Sequence, residues 1–367
     1  MRVLVVNAGS SSVKLRLLDD DDIQQSADLP AGPDGFDTSH LAKVLQSWGK
    51  PDAVGHRIVH GGTTFTGPVR IDDSVREQLL ALTDLAPLHQ PKSLAALDAV
   101  TAQLPEIVAV GSFDTAFHTT MPDAAATYAV PREWRDRYEI RRFGFHGLSH
   151  GYCSHHAAGL IGRPLVGLRI VTCHLGAGAS LAGVLDGRSV DTTMGFTPLD
   201  GLVMATRSGT VDPGAVLWLL EHADLSPHEV AAALEQDSGL TALAGTGDMR
   251  EVEAAAGRDE PGAQLALDVY THRLAAGIGA MSAATGGIDV LVFTGGVGEH
   301  SSMVRRRACE RLRFLGVAID SRCNEAAHDD GDISAAEATV RTLVITARED
   351  LQIARETRQL LGAVGCP

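Results

Sequence analysis

The chain has 367 residues, 44% of them apolar and 21% charged, which is enough for two domains with separate cores and too apolar for a disordered protein. A formal net charge of −15 argues against nucleic acid or anionic membrane as a partner, because either needs a basic face; an anionic substrate must therefore meet locally placed cations. The five cysteines (Cys153, Cys173, Cys309, Cys323 and Cys366) are odd in number and lack CxxC spacing, which favours neither a disulfide framework nor a zinc site. With no stretch apolar enough to span a bilayer and no leader-like segment, a cytoplasmic location is expected.

The first pattern in chain order is a strand, a polar Gly/Ser turn and a second strand over residues 3–19. Residues 170–186 repeat it at an offset of 167, which aligns Asn7 with His174, Gly9 with Gly176, Leu17 with Val184 and Asp19 with Asp186. Small-residue turns let backbone N–H groups converge on an anion. Either turn alone reads as an ordinary hairpin; the shared offset and the polar triplet Asn7, Ser10 and Ser12 favour a pair of phosphate cradles. Residues 19–22 and 28–37 read as a solvated surface loop. Then β-branched runs (52–59 and 106–110) alternate with helical patterns (74–85 and 91–104), which predicts α/β architecture. Asp212-Pro213 and Ser226-Pro227 read as helix N-caps followed by proline, and Glu229 completes a capping box with Ser226. A long amphipathic helix over 261–285 leads into a buried strand, 289–294, which ends in a glycine turn at 295–298. A last strand at 342–345 precedes a helix over 349–361.

Several residues could carry chemistry. Arg57 and Arg207 are flanked by glycine and small polar residues, so either guanidinium could fork onto carboxylate or phosphate oxygens, or else form a structural ion pair. His146 lies in an aromatic stretch, where it could donate to a transferring phosphoryl group or simply pack in a core. Asp114 follows a predicted strand, the place where α/β proteins put metal-binding or orienting carboxylates. Residues 147–151 match the GxSxG nucleophile elbow, with Ser149 as the nucleophile of a rival serine hydrolase. An elbow should follow a buried apolar strand, whereas 137–142 is strongly charged. Residues 294–299 resemble a nucleotide-contacting turn at a helix N-terminus, and neither a Rossmann fingerprint nor a Walker A motif is present.

Taken together, residues 7–14 (NAGSSSVK), 56–62 (HRIVHGG), 113–118 (FDTAFH), 143–147 (FGFHG) and 191–209 (from DTTMGFTPL to RSG) resemble the acetate kinase family, over essentially the whole chain. The resemblance implies two duplicated actin-like (ribonuclease H-like) α/β domains, as in sugar kinases, actin and heat-shock chaperone ATPases, with a nucleotide cleft between them. It puts an acyl-substrate domain at 1–118, completed by 349–367, and a nucleotide-binding and dimerisation domain at 119–348. It implies magnesium (with manganese as a substitute) at Asn7 and Glu349, with Ser10 and Ser12 in the phosphate and metal environment and Lys14 near the ATP phosphates. Arg57 would hold the substrate carboxylate, Asp114 takes the family's acid/base position, and His146 and Arg207 would stabilise the transition state. The nucleotide would touch His174, Leu175, Gly176, Ala177, Gly178, Asp248, Met249, Arg250, Gly295, Gly296, Val297, Gly298 and Glu299, and Val59, Leu88 and Pro198 would line the acyl pocket.

The implied reaction is reversible, magnesium-dependent phosphoryl transfer from ATP to acetate by direct in-line attack, which would feed acetyl-CoA formation in a cytoplasmic homodimer. Propionate kinase and pyrophosphate-dependent acetate kinase are close variants; the retained Asp248 and Arg250 favour ATP. The chain departs from the family pattern at Ala177, Gln90 and His300, each where asparagine is usual, and at residues 348–350 (Arg-Glu-Asp for Asn-Glu-Glu). It is also shorter than usual near residues 20–50. None of these departures removes a charged catalytic group. An acetate-like acceptor is already ionised at neutral pH, so Asp114 is expected to orient Arg57 or hydrated magnesium rather than accept a proton.

Overall fold

The computed structural model describes residues 1–9, 12–32, 35–87 and 89–362. It divides into two compact units: residues 1–119, 145–152 and 348 onward form the first, and 120–144 and 153–347 the second.

The first unit is built on a seven-stranded sheet of β1 (Arg2–Ala8), β2 (Ser12–Asp19), β3 (Asp22–Gly32), β4 (Gly35–Phe36), β5 (Ala53–Ile58), β6 (Val69–Arg70) and β7 (Ala109–Phe113). Their order is β4-β3-β2-β1-β5-β7-β6, with β1, β5 and β7 mutually parallel. The parallel strands read as nearly unbroken apolar runs because both faces are covered. Val54 packs in one cluster with Ala96 and Val100 of helix Gln90–Gln103. On the other face Gly55 leaves no room for a side chain against Ile353 and Thr357 of helix Glu349–Gly362. That helix is thus part of the first core.

The second unit has a six-stranded sheet of β8 (Arg169–Leu175), β9 (Ala179–Leu185), β10 (Arg188–Thr192), β11 (Val290–Thr294), β12 (Gly331–Asp332) and β13 (Arg341–Val344). The order is β10-β9-β8-β11-β13-β12, with β8, β11 and β13 parallel. Helix Pro261–Ala284 packs on β8, β9 and β10. Strand for strand this is the plan of the first sheet without β4, so the α/β duplication expected from the repeated hairpin is present. Among the described residues no helix is long and apolar enough to cross a membrane.

The repeat is not residue-for-residue, however. Asn7 pairs with Lys14 and Ala8 with Val13, leaving Gly9 to Ser12 in the first turn; His174 pairs with Ser180 and Leu175 with Ala179, leaving only Gly176 to Gly178 in the second. The offset of 167 before the turn is therefore 166 after it. Leu17 corresponds to Gly183 and Asp19 to Leu185, not to Val184 and Asp186 as the constant offset suggested. Asp186 instead matches Asp20: both stand at left-handed φ (56° and 48°) as first residue of the two-residue turn into the next strand. A constant offset hid this because Asp19 and Asp20 are both aspartates.

Other boundaries also differ from expectation. Residues 28–32 and 35–36 belong to β3 and β4 rather than to a surface loop. Most of β3 is exposed near the sheet edge, with only Leu29 fully buried, so its sequence carries little apolar signal. The strand expected at 106–110 runs over 109–113. The glycines expected as a turn at 295–298 already belong to helix Gly295–His300. Ser149 is fully buried near the start of helix Gly147–Leu160, and the nearest preceding elements are the short helices Asp123–Ala126 and Arg132–Tyr138. No strand leads into it, so the nucleophile elbow is absent.

Candidate active site

In the first unit the carboxyl ends of β1, β5 and β7 bring together the charged residues singled out from the sequence. Parallel pairing sets β1 beside β5 and β5 beside β7, so Asn7, Arg57 and Asp114 emerge at the same sheet end. Arg57 Nε donates to both Asp114 carboxylate oxygens at 3.0 and 3.1 Å, and Nη2 donates to Oδ2 at 2.6 Å. Nη1 donates to Asn7 Oδ1 at 3.1 Å. The Asn7 amide in turn donates to Glu349 Oε2 at 2.8 Å, and that oxygen lies 3.9 Å from Arg57 Nε. Four residues scattered from position 7 to 349 thus form one cluster.

The cluster's electrostatics follow from its burial. Asp114 is 1% exposed, and loss of water raises its carboxyl pKa above the ordinary value while Arg57 pulls against that rise. Burial disfavours the Arg57 cation too, but the Asp114 and Glu349 carboxylates outweigh it and raise the guanidinium pKa. With three N–H contacts on it, the Asp114 side chain fits as a carboxylate. One guanidinium then faces two carboxylates.

His146 stands beside this cluster through the backbone. It adopts left-handed φ (57°), and the next N–H, of Gly147, donates to the Asp114 carbonyl at 2.8 Å. A Cβ on Gly147 would collide with that same carbonyl, so glycine is required there. Behind it, His118 Nε2 bonds the Phe145 carbonyl at 3.0 Å, and the His60 and Phe145 rings meet edge to face. Val59 follows β5 and is buried. Lys14 is exposed on β2 directly opposite Asn7, and the Ser12 carbonyl accepts the Gly9 N–H at 2.8 Å. Gln90, in place of the family's asparagine, is fully buried and spans the His60 N–H, the His60 carbonyl and the Leu79 carbonyl. Ser10 and Leu88 lie outside the described residues.

The second unit assembles its candidates from backbone rather than from paired charge. The turn Gly176 to Gly178 closes by a Gly176 N–H to Gly178 carbonyl bond of 2.9 Å. His174 pairs with Thr294 across β8 and β11, so the turn and the start of helix Gly295–His300 are neighbours. Gly295 has φ of 77°, and a Cβ there would meet the Leu175 carbonyl at 2.8 Å. Gly296, Val297 and Gly298 continue this helix. The Glu299 carboxylate is turned inward, accepting the N–H groups of Gly295 at 2.8 Å and Ala347 at 2.9 Å. The Ala177 carbonyl accepts the Ala205 N–H at 3.1 Å. Asp248 caps helix Met249–Ala256 and pairs with the exposed Arg250, whose N–H groups hold the Asp248 carboxyl down at about 2. Met249 is buried. Arg207 Nη1 donates to the Pro198 carbonyl at 3.0 Å, and burial lowers the guanidinium's pKa.

Sequence reasoning overlooked two residues that organise this second set. Arg142 and Asp200 hold the segment that carries Pro198 and Arg207, and the only hint was a doubled arginine in a chain poor in cations.

The model of the Acetokinase family matches residues 36–355. The chain belongs to the acetate kinase family. Among its relatives, the acetate kinase of Nostoc punctiforme is 47% identical over 87% of this chain and 79% of its own length, and that of Deinococcus deserti is 43% identical over 99% and 98%. The solved acetate kinase of Porphyromonas gingivalis superposes with a TM-score of 0.89 at 36% identity, covering 98% of this chain and 99% of its own. A propionate kinase from Francisella tularensis superposes equally well, with a TM-score of 0.89 at 34% identity and the same coverage. The chain is therefore a kinase, an enzyme of the phosphotransferase class, with the two actin-like α/β domains of acetate kinases.

Proposed function

We propose that the chain transfers the γ-phosphoryl group of ATP reversibly to acetate, giving acetyl phosphate and ADP in the presence of Mg2+. What most supports this reading is the buried cluster of Arg57, Asp114, Asn7 and Glu349 in a chain of the acetate kinase family.

Arginine has five N–H groups; among the described residues Asp114 takes one from Nε and one from Nη2, and Asn7 takes one from Nη1. One hydrogen on each terminal nitrogen remains to fork onto a substrate carboxylate. A small carboxylic acid titrates at about pH 4, so the acceptor arrives already nucleophilic and needs no base. Asp114 then acts by holding Arg57 in orientation. His146 and Arg207 donate to the equatorial oxygens of the transferring group, whose charge is spread rather than localised. The family resemblance assigns Val59 and Pro198 to the acyl methyl, and His174 to Gly178, Asp248 to Arg250, Gly295 to Glu299 and Lys14 to the nucleotide.

The donor set fits Mg2+. Asn7 and Glu349 offer hard oxygen ligands, and Mg2+ is commonly held by one or two protein carboxylates, with water and substrate phosphates completing the shell. Among the described residues no group of three His, Cys, Asp or Glu side chains could hold a metal ion. When bound, the ion would neutralise the phosphate oxygens.

A hydroxamate assay tests the reading, with purified protein, Mg2+, ATP or pyrophosphate, and acetate, propionate or butyrate. Acetyl hydroxamate formed with ATP and favoured over the longer acyl groups is the expected result. Acyl hydroxamate from none of the three acids would overturn the reading, and a propionate preference would move it to the activity named for the Francisella relative.

A further inference from the structure

Arg142 has no role in the reading above, yet its contacts converge on the segment that carries Arg207. Its Nη1 lies 3.0, 2.9 and 2.9 Å from three successive carbonyl oxygens, those of Thr192, Thr193 and Met194. The same nitrogen is 3.5 Å from Asp200 Oδ2, and the guanidinium lies over the Tyr128 ring at 5.5 Å. Tyr128 accepts the Phe196 N–H on its hydroxyl at 3.1 Å, and the N–H groups of Phe143 and Gly144 donate to the Gly195 carbonyl. Every residue from 192 to 196 is therefore tied to Arg142 or to a neighbour of it.

Asp200 carries the connection onward. Its Oδ1 accepts the Thr210 hydroxyl at 2.6 Å and the Gly201 N–H at 2.9 Å, while the Thr210 N–H donates to the Gly201 carbonyl at 3.0 Å. These bonds close the base of the loop between Gly201 and Thr210. Inside the loop the Met204 N–H bonds the Arg207 carbonyl at 3.1 Å, and the Arg207 guanidinium reaches back to the Pro198 carbonyl at 3.0 Å. Three successive carbonyl oxygens converge on one nitrogen, and the cation there offsets their repulsion. Removing it frees those carbonyls to turn toward water and loosens Asp200, and with it the loop base.

We infer that Arg142, acting through Asp200 and Thr210, is a positioning residue that sets where Arg207 and Pro198 stand. This rests on the reading of Arg207 and Pro198 given above. These contacts do not involve the nucleotide candidates at 248–250 or 295–299, and the loop meets the turn at 176–178 through one backbone bond, from the Ala205 N–H to the Ala177 carbonyl, so the larger effect should fall on acceptor use and turnover and a smaller one on nucleotide binding.

The experiment compares wild type with Arg142→Ala, Arg142→Lys and Thr210→Val, measuring kcat, KM for acetate and KM for ATP, together with amide hydrogen exchange. Arg142→Ala should lower kcat on the order of 10²-fold, the scale of a misplaced catalytic group, and raise KM for acetate more than KM for ATP. Guanidinium ion added to this variant should restore part of the rate, and Arg142→Lys should fall between it and wild type. Thr210→Val, which removes the hydroxyl's bond to Asp200 and the one it accepts from the Gly201 N–H, should cost about fivefold or more. Exchange should accelerate in Arg142→Ala within residues 192–210 and stay unchanged at 248–256. Wild-type kinetics in Arg142→Ala would overturn the inference. So would a uniform loss matching the unfolded fraction, without guanidinium rescue. Should wild type make no acyl phosphate, the functional reading falls, whereas the exchange pattern still decides whether Arg142 holds the loop.

Discussion

The two units use one sheet plan but hold their candidate residues by different physics. In the first, a buried guanidinium and a buried carboxylate neutralise each other, with Asn7 and Glu349 completing the cluster. In the second, Arg207 rests on a carbonyl oxygen, and glycines and backbone bonds define the turns around it. A paired buried charge couples chemistry to stability, because loss of either partner strands the other in a medium of low dielectric. A hydrogen bond from a guanidinium to a carbonyl is worth less than a buried ion pair, so removing Arg207 is expected to cost the fold less than removing Arg57.

That contrast can be broken most directly with Arg57→Ala. It strands Asp114, so acyl phosphate formation should fall by at least about 10³-fold and urea-induced unfolding should show a stability loss of about 3–5 kcal/mol. Arg207→Ala should lose comparable activity, on the order of 10²–10³-fold, yet change stability by no more than about 1 kcal/mol. Equal destabilisation by the two variants would abolish the distinction between the units. Asp114→Asn keeps the shape but removes the charge; activity should be regained in part as Mg2+ is raised, and an unaltered magnesium dependence would contradict the orienting role given to Asp114.

The last expected effect, on stability alone, concerns pH. Burial lowers His56 and His60 in the first unit from 6.5 to about 4. The unfolded chain then binds more protons between those values, so their contribution is complete above about pH 6.5 and is lost as pH falls toward 4. At 1.36 kcal/mol per unit this is roughly 3 kcal/mol for each histidine as an upper figure. Urea denaturation from pH 7.5 to 4.5 should show it, and His56→Leu should flatten the slope. A slope unchanged by that substitution would remove His56 as a cause.

Much of this was legible in the sequence, for identifiable reasons. Apolar parallel strands, the Pro-led helices at 213 and 227 with their caps, and the long helix after Pro261 announce themselves locally. Arg57, Asp114 and Glu349 were legible through the family resemblance, but their mutual contact was not, because it joins residues far apart in sequence across the ends of a sheet. Edge strand β3 escaped because exposure removes the alternation by which strands are recognised. Arg142 escaped because its partners are carbonyl oxygens, which every residue has and no motif marks.

The one-residue difference between the first and second hairpin turns has a consequence for how the halves could diverge. Strand ladders tolerate no slip, since a shift of one exchanges the inward and outward sides; a turn beyond the last rung can shorten without disturbing any pair. The descendants of one duplicated hairpin could in this way acquire mouths of unlike size while keeping the same frame. A chimera carrying Gly176-Ala177-Gly178 between Ala8 and Val13 should fold with its sheet intact and be altered only in what that mouth accepts.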